Sequence, residues 1–294
     1  MIHGFARLGG TDPRQLGPYR LHGVLGTGST GTVYLGRGAP RRGERKQLAA
    51  VRAVRPELLR DRQLRARLRH EMQTAASLRS RYVAAALGCE LDSEHPWMAT
   101  EFVPGPPLSA AVARYGPLPE HAVRALGAAL AQGLADLHAV RVAHRDPRPC
   151  NVLLAADAPR LVDYSLGLGR TDLGHDDDHA EGGAARAADD IFELGSTLVV
   201  AAGAHQPFAG SMLPSAREDP DLTGVPDGLC PALLACLHKT PESRPLPVPL
   251  ARALDLEGAA ERPAAEWLPE AYVHEIDEVE DAAKSLAGRR LFGR

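Results

Sequence analysis

Three oxygen-bearing side chains follow one another at short intervals in the stretch VAHRDPRPCNVLLAADAPRLVDY, and side chains of this kind can bind a metal ion or accept a proton. They are Asp146, Asn151 and Asp163. Hard cations such as Mg²⁺ prefer carboxylate and carbonyl oxygens, and a carboxylate beside a hydroxyl can accept its proton. Each residue alone is more often a cap or a turn residue. Only the ordered set, together with a phosphate-binding loop elsewhere, would indicate phosphoryl transfer.

Such a loop is indicated by LGTGSTGTVY, which places Gly26, Gly28 and Gly31 between two strand-like runs. Glycine lets the backbone come close to phosphate oxygens and present its N–H groups to them. GxGxxG alone is weak evidence, because an ordinary glycine-rich hairpin has the same pattern. A dinucleotide-binding fold needs a helix after the loop, whereas residues 32–35 (TVYL) have a strand pattern. The loop therefore disfavours a Rossmann fold.

Composition and charge exclude several classes of protein. The 294 residues are 44% hydrophobic and 24% charged, as in ordinary globular proteins, and the formal net charge of −3 gives no reason to expect nucleic-acid binding. The four cysteines form no CxxC pair, which indicates a reducing compartment. No apolar leader and no membrane-spanning run is present in the sequence, so we expect a cytoplasmic protein. Of the 34 basic residues, only Lys46, Lys239 and Lys284 are lysines.

Hydrophobic periodicity predicts strands and one helix up to about residue 102, and mainly helices after the Pro/Gly-rich VPGPPL. Short strands are predicted at VAH, NVLLA and RLVDY, and a loop at residues 169–189. Buried helices are predicted at IFELGSTLVVAAGA and LCPALLACLHKTP. One face of a long helix behind Pro119 carries Val123, Leu126, Leu130, Leu134 and Leu137. A tail helix behind Pro269 carries Tyr272, Ile276, Val279, Ala283 and Leu286.

Over residues 16–255 these motifs resemble a bacterial Ser/Thr protein kinase of the eukaryotic-like (Hanks) type. The shared motifs are the glycine loop, AAVR on the third strand, Glu71, ATEFV, HRDPRPCN, DYS, DDIFELG and Arg244. The resemblance implies an α+β fold with a small β-rich N-lobe and a larger, mainly helical C-lobe. It implies an N-terminal extension at 1–15, the lobes at 16–103 and 104–255, and a helical tail at 256–294. Arg145 and the pair Arg148-Pro149 favour protein kinases over small-molecule phosphotransferases with the same core.

The resemblance also implies that ATP and Mg²⁺ are the cofactors. Asp146 takes the position of the catalytic base, and Asp190 that of the acid that braces the catalytic loop. The other catalytic positions are Arg148, Arg52 and Glu71. The metal ligands are Asn151 and Asp163. The nucleotide-binding positions are Gly26, Gly28, Gly31, Val33, Ala50, Arg52, Glu101, Val103 and Leu153.

Several departures from the family pattern indicate weakened phosphoryl transfer. Arginine replaces the usual lysine at Arg52, where its planar fork could hold the Glu71 carboxylate bidentately and turn away from phosphate or crowd it. Arginine also replaces lysine at Arg148, which alters the group that would steady the transferring phosphate. The DFG motif reads Asp163-Tyr164-Ser165, without its glycine. Asp190 follows Asp163 by only 190 − 163 = 27 positions, with no APE motif and with Glu181 as at best a remnant partner for Arg244. That segment normally presents a peptide substrate.

Three functions stay open at this point. The leading hypothesis is a regulatory, Mg·ATP-binding pseudokinase with weak or absent transfer to proteins. The first alternative is an active Ser/Thr kinase that uses Arg52 in place of lysine. The second is a scaffold that binds no nucleotide. The sequence names no protein substrate or partner.

Two further hypotheses concern the shortened segment and the tail. Thr171 is the sole hydroxyl residue between Leu166 and Gly195, and the run Asp176-Asp177-Asp178 could replace a phosphate as the partner of Arg145. The tail helix is too short to be stable alone, so its apolar stripe must pack on something. Docking onto its own helical lobe is favoured over self-association through the C-terminal helix.

Overall fold

The structure is a computed structural model that describes residues 5–39, 45–164, 180–208, 219–255 and 257–288, with side chains from residue 186 onward in the third range. Its contacts divide the chain into two compact units. The first contains residues 1–79, 84–104 and 277–294, and the second residues 80–83 and 105–276. Within the described ranges, no helix is long and apolar enough to cross a membrane.

The first unit is built on an antiparallel sheet of six strands with one α-helix, α1, at Arg62–Ala75. The strands are β1 Gln15–Leu16, β2 Tyr19–Gly28, β3 Gly31–Gly38, β4 Gln47–Val54, β5 Ala86–Glu90 and β6 Trp97–Glu101. Their order across the sheet is β1-β2-β3-β4-β6-β5. The glycine loop, residues 26–31, therefore lies in the hairpin between β2 and β3, as the glycine spacing predicted.

The core of this sheet consists of aromatic and branched side chains that alternate along the strands. Tyr19, Leu21, Tyr34 and Val51 are all buried in one cluster. This alternation puts one face of each strand into the core and leaves the other face for the helix or for solvent. Helix α1 begins at a cap in which Asp61 Oδ1 accepts the N–H of Gln63 at 2.8 Å.

The second unit is mainly helical. Its α-helices are α2 Leu108–Tyr115, α3 Glu120–Ala139, α4 Ala180–Gly203, α5 Cys230–Cys236 and α6 Pro247–Leu254, followed by the first part of α7 Glu270–Gly288. A two-stranded sheet, β7 Val152–Leu153 and β8 Arg160–Leu161, follows α3. Short 3₁₀ turns of this unit lie at Pro149–Asn151, Pro241–Ser243, Ala259–Glu261 and Ala264–Glu266, and one of the first unit lies at Pro56–Leu59.

Helix α3 runs through the middle of this unit, and the predicted apolar face is confirmed. The side chains of that face are all fully buried: Val123, Leu126, Leu130, Leu134 and Leu137. Alanines and glycines cover the neighbouring faces, and at Gly127 an added Cβ would lie 2.8 Å from Leu254. The small residues let other helices come close, so α3 contacts both α4 and α6.

The structure corrects two sequence predictions. Residues 142–144, predicted as a strand, form no strand, because the N–H of His144 bonds to the side chain of Asp190 instead of a neighbouring strand. The loop predicted at 169–189 is wrong for residues 180–189, which belong to α4. The stretch AEGGAARAADD is rich in alanine, a strong helix former, which favours this early start. Residues 169–179 lie outside the described ranges.

The tail helix α7 forms with the predicted stripe inward. Tyr272 and Ile276 are buried in the second unit, where the Tyr272 hydroxyl donates to the carbonyl of Gly116 at 2.5 Å. From Asp277 onward the helix belongs to the first unit, where its apolar side packs against Phe5. The expected docking onto the helical lobe is thus wrong for the second half of α7. Self-association stays a prediction, as do the domain boundaries.

Candidate functional site

In the first unit, the sheet register brings predicted nucleotide-binding residues side by side. Gly26 pairs with Val33, and Val33 pairs with Arg52 on β4. Ala50 lies two residues from Arg52 on the same strand and pairs with Thr100 on β6. Residues that are far apart in the sequence therefore form one row across three strands next to the glycine loop.

Glycine is present at the three positions of the loop for different structural reasons. Gly31 has φ 147°, and a Cβ there would lie 1.9 Å from the carbonyl oxygen of Ala53, so only glycine is possible. At Gly26 and Gly28 an added Cβ would meet nothing within 4 Å. Packing inside the chain does not require glycine at these two positions, but a ligand in contact with the backbone would. The open space beside them fits phosphate oxygens bound by backbone N–H groups.

Two arginines, Arg52 on β4 and Arg55 directly after it, hold the tip of the glycine loop. Arg52, of which only 7% is exposed, donates from Nη1 to the Thr30 hydroxyl at 2.7 Å. The N–H of Arg55 donates to the Thr30 carbonyl, and Nη2 of Arg55 donates to the Gly28 carbonyl, each at 3.1 Å. Sequence analysis missed Thr30 and Arg55. Two features of the sequence could have indicated them. One is a hydroxyl residue at the tip of the loop, and the other is a second arginine three residues after Arg52.

Glu71, the predicted partner of Arg52, lies on α1 and is 8% exposed. Burial of a charged group is costly unless the group is paired, so two buried residues of opposite charge in one unit fit an ion pair. Their pairing stays a prediction.

The predicted hinge residues lie at the end of β6, with Glu101 as its last residue and Val103 just after it. The N–H of Glu101 donates to the Ala85 carbonyl at 2.8 Å, and its carboxylate accepts the Ala85 N–H at 3.3 Å. An adenine contact from Glu101 must therefore come from its backbone carbonyl. Val103 is buried.

In the second unit, the catalytic loop, residues 144–151, is braced by Asp190 as the resemblance implied. The fully buried Asp190 accepts hydrogen bonds from the N–H groups of His144 and Arg145, at 2.8 and 2.6 Å, and contacts His138 Nε2 at 2.7 Å. Arg145 has φ 70°, which is unfavourable for a side chain of its size. The bonds to Asp190 hold it there.

Two further contacts fix this loop. The hydroxyl of buried Thr197 on α4 donates to the Pro147 carbonyl at 2.7 Å. Complete burial lowers the pKa of His144, so its imidazole is neutral at pH 7, and Nδ1 lies 3.3 Å from the N–H of Asp146 as the acceptor. Sequence analysis missed Thr197 and His138, which no motif marks.

The predicted base, Asp146, is held by the residue two positions further on. Nε of Arg148 donates to Oδ1 of Asp146, and Nη2 donates to Oδ2 at 2.6 Å. This hydrogen bonding is the main cause that raises the pKa of Arg148. Oδ2 also accepts from Asn151 Nδ2 at 3.1 Å. Both carboxylate oxygens that could receive a proton from a hydroxyl are therefore engaged.

Asn151 and Asp163, the predicted metal ligands, lie on segments that are joined by a backbone hydrogen bond. The N–H of Val162 donates to the Asn151 carbonyl at 2.9 Å, and Asp163 follows with φ 62°. The Asn151 amide nitrogen bonds to Asp146, which leaves Oδ1 as its oxygen ligand atom. Among the residues the structure describes, no three His, Cys, Asp or Glu side chains cluster as a metal site. Mg²⁺ needs only one or two carboxylates when substrate phosphates and water complete its coordination, so this pair fits it.

Other predicted positions of the second unit are placed as follows. Leu153 is half-buried on β7, and the buried ring of Tyr164 packs edge-on against His144 with centroids 6.4 Å apart. Arg244 bonds to Asp189 Oδ1 at 3.0 Å and lies 4.8 Å over the ring of Phe192. Sequence analysis missed this partner. The Glu181 side chain, Ser165, Thr171 and the run Asp176-Asp177-Asp178 lie outside the described side chains.

Comparisons with known proteins agree with this arrangement. A model of the protein kinase domain matches residues 19–172, more than half of the chain. The chain is 36% identical to the serine/threonine-protein kinase AfsK of Streptomyces griseus over 88% of its own length and 34% of that protein. It is 32% identical to the probable serine/threonine-protein kinase PkwA of Thermomonospora curvata over 88% of its length and 36% of that protein. The chain thus spans about a third of these relatives.

The fold also matches a solved kinase structure. The kinase domain of PknI from Mycobacterium tuberculosis superimposes with a TM-score of 0.66 at 23% identity, over 82% of this chain and 96% of that domain. The predicted two-lobed α+β fold is confirmed. The chain belongs to the protein kinase family, in its bacterial Hanks-type Ser/Thr branch.

Proposed function

We propose that this kinase domain binds Mg·ATP and transfers phosphate to proteins weakly or not at all, so that it acts as a regulator through a protein partner. The observation that carries the proposal is the bidentate contact between Arg148 and Asp146 in a loop that is otherwise intact.

Support for nucleotide binding comes from the glycine loop. Gly26 and Gly28 have open space where a side chain would be, and Arg52 keeps a positive charge on the neighbouring strand. The backbone N–H groups and the guanidinium are suited to phosphate oxygens, while Val33 and Ala50 of the same unit offer apolar surface to a base.

Support for a metal comes from Asn151 and Asp163, which supply an amide oxygen and a carboxylate. These two residues would hold Mg²⁺, which would supply positive charge to offset that of the nucleotide phosphates. The hydrogen bond from Asn151 to Asp146 fixes the amide, so the metal position and the base position are set together.

Weak transfer is supported by the state of Asp146. A substrate hydroxyl has to donate its proton to a carboxylate oxygen within hydrogen-bond reach. Here both oxygens accept from a guanidinium, the strongest donor geometry for a carboxylate. A hydroxyl must displace part of this fork before it can react, which raises the barrier. The guanidinium of Arg148, which would steady the transferring phosphate, is engaged in the same contact.

The alternative, an active Ser/Thr kinase that uses Arg52, is favoured by one observation. Arg52 is buried on β4, where the family carries its basic residue, and it already donates to Thr30 at the tip of the glycine loop. The named relatives are serine/threonine-protein kinases, and activity in this chain would follow if Arg148 released Asp146 on substrate binding.

The test separates these functions with one variant and one control. Mg·ATP at about 100 times its Kd should raise the free energy of unfolding by about 2.7 kcal/mol in the parent, and Asp163→Ala should abolish this increase. Asp92→Asn is the control, because Asp92 is an exposed aspartate in an ion pair with Arg69. No stabilisation of the parent would indicate the scaffold function. Rapid transfer of radiolabelled phosphate to itself or to a basic protein would indicate an active kinase.

A further inference from the structure

The tip of the glycine loop is hydrogen-bonded to Arg52 on β4, the arginine at the predicted phosphate-binding position. Arg52 Nη1 donates to the side-chain oxygen of Thr30 at 2.7 Å, and the backbone N–H of Arg55 donates to the Thr30 carbonyl at 3.1 Å. The side chain of Thr30 is therefore bonded to β4, and its carbonyl to Arg55, the residue directly after β4. Gly31 also lies close to this strand, because a Cβ added to it would collide with the carbonyl oxygen of Ala53.

This contact addresses the difficulty that an arginine creates in place of a lysine. A guanidinium is longer than an ammonium, planar and forked, so it must be oriented before it can meet a phosphate. It has five N–H donors, which suffice for the Thr30 hydroxyl, a carboxylate partner and a phosphate oxygen at once. The hydroxyl is a neutral acceptor. It fixes the direction of the fork and leaves its positive charge available to an anion.

We propose that Thr30 is the positioning residue that orients Arg52 toward the phosphates of the nucleotide. The inference rests on the proposed binding of Mg·ATP. Thr30 lies in the loop that would cover the phosphates, so the loop and the cation are held as one unit. The contact should therefore matter for a triphosphate and not for the nucleoside alone.

The experiment measures the Kd of Mg·ATP and of adenosine by calorimetry for the parent and for Thr30→Val, which keeps the shape and removes the hydroxyl. We expect Mg·ATP to bind about tenfold more weakly, the usual effect of losing a hydrogen bond to a charged group. Adenosine should change by less than about twofold, since it has no phosphate for Arg52 to contact. Thr30→Ser, which retains the hydroxyl, should restore the parent affinity for Mg·ATP.

The matched control is Thr32→Val, the same substitution two residues further on, where the hydroxyl contacts Thr27 at 3.4 Å. It should leave both affinities unchanged. In an Arg52→Lys background the additional change Thr30→Val should have little effect, because the two residues act through one contact.

Two results would overturn the inference while Mg·ATP binding itself stands. One is an unchanged Mg·ATP affinity in Thr30→Val. The other is an equal loss for adenosine and Mg·ATP, which would mean that Thr30 only shapes the loop. A parent that binds adenosine but gains nothing from phosphates would contradict the proposed function and this inference together.

Discussion

Arginine makes different kinds of contact in the two units. In the first, Arg52 donates to the Thr30 hydroxyl and Arg55 to the Gly28 carbonyl, which are neutral oxygens of the glycine loop, and the predicted ion pair with Glu71 adds a carboxylate at Arg52. In the second, Arg148 donates through two nitrogens to the carboxylate of Asp146, and the two charges cancel. In a chain with few lysines, arginine thus holds the glycine loop in one unit and engages the carboxylate of Asp146, the proposed base, in the other. The acceptor of an arginine, more than its presence, decides which outcome follows.

The largest effect on the free energy of unfolding is expected from replacing Asp190, which braces the loop that carries Asp146. Asp190→Asn leaves donors such as the His144 N–H without a carboxylate in a fully buried position. Removing one partner from such a set typically costs about 3–5 kcal/mol. We expect a loss of this size in the free energy of unfolding, measured with urea.

The neighbouring aspartate provides the matched control. Asp189 also accepts from an arginine, Arg244, but its side chain is 62% exposed. Solvent screens such a pair, so Asp189→Asn should cost less than about 1 kcal/mol. Equal losses in the two variants would mean that Asp190 is not the group that holds the loop.

A somewhat smaller effect should come from helix α7, half of which packs in each unit. Ile276 is fully buried, and Ile276→Ala should lower the free energy of unfolding by about 2–4 kcal/mol, as expected for a cavity in a core. Glu280→Gln, at a partly exposed i,i+4 pair with Lys284, should change it by less than about 0.5 kcal/mol. The mass by light scattering should stay that of the parent. A lower mass with unchanged stability would favour self-association through this helix instead of docking.

The elements that the sequence predicts well are those with a strong local pattern. The stripe of α3 and that of α7 could be read directly from apolar spacing, and the hairpin from its glycines, because each pattern matches the period of one element. The role of Asp190 was predicted from the motif DDIFELG, which the family pattern pairs with the loop HRDPRPCN. In these cases local preference and tertiary packing require the same structure.

What the sequence did not predict depends on contacts between distant segments. The packing of α7 from Val279 onward against Phe5 joins the two ends of the chain, and no local pattern encodes that choice. The sequence showed that arginine replaces lysine at two positions but not which oxygens the guanidinium groups reach. At Arg52 it predicted a carboxylate partner and did not predict the contact to the Thr30 hydroxyl.

The most direct test of the central claim is phosphate transfer by Arg148→Lys. An ammonium cannot hold both oxygens of Asp146 in the planar fork that Arg148 forms, so one oxygen becomes available to a hydroxyl. We predict about tenfold more radiolabel incorporated per unit time, which corresponds to about 1.4 kcal/mol, with the Kd of Mg·ATP changed by less than about twofold. The gain should vanish in the double variant Arg148→Lys/Asp146→Asn. Incorporation no higher than in the parent, or a gain that survives without the Asp146 carboxylate, would contradict the account.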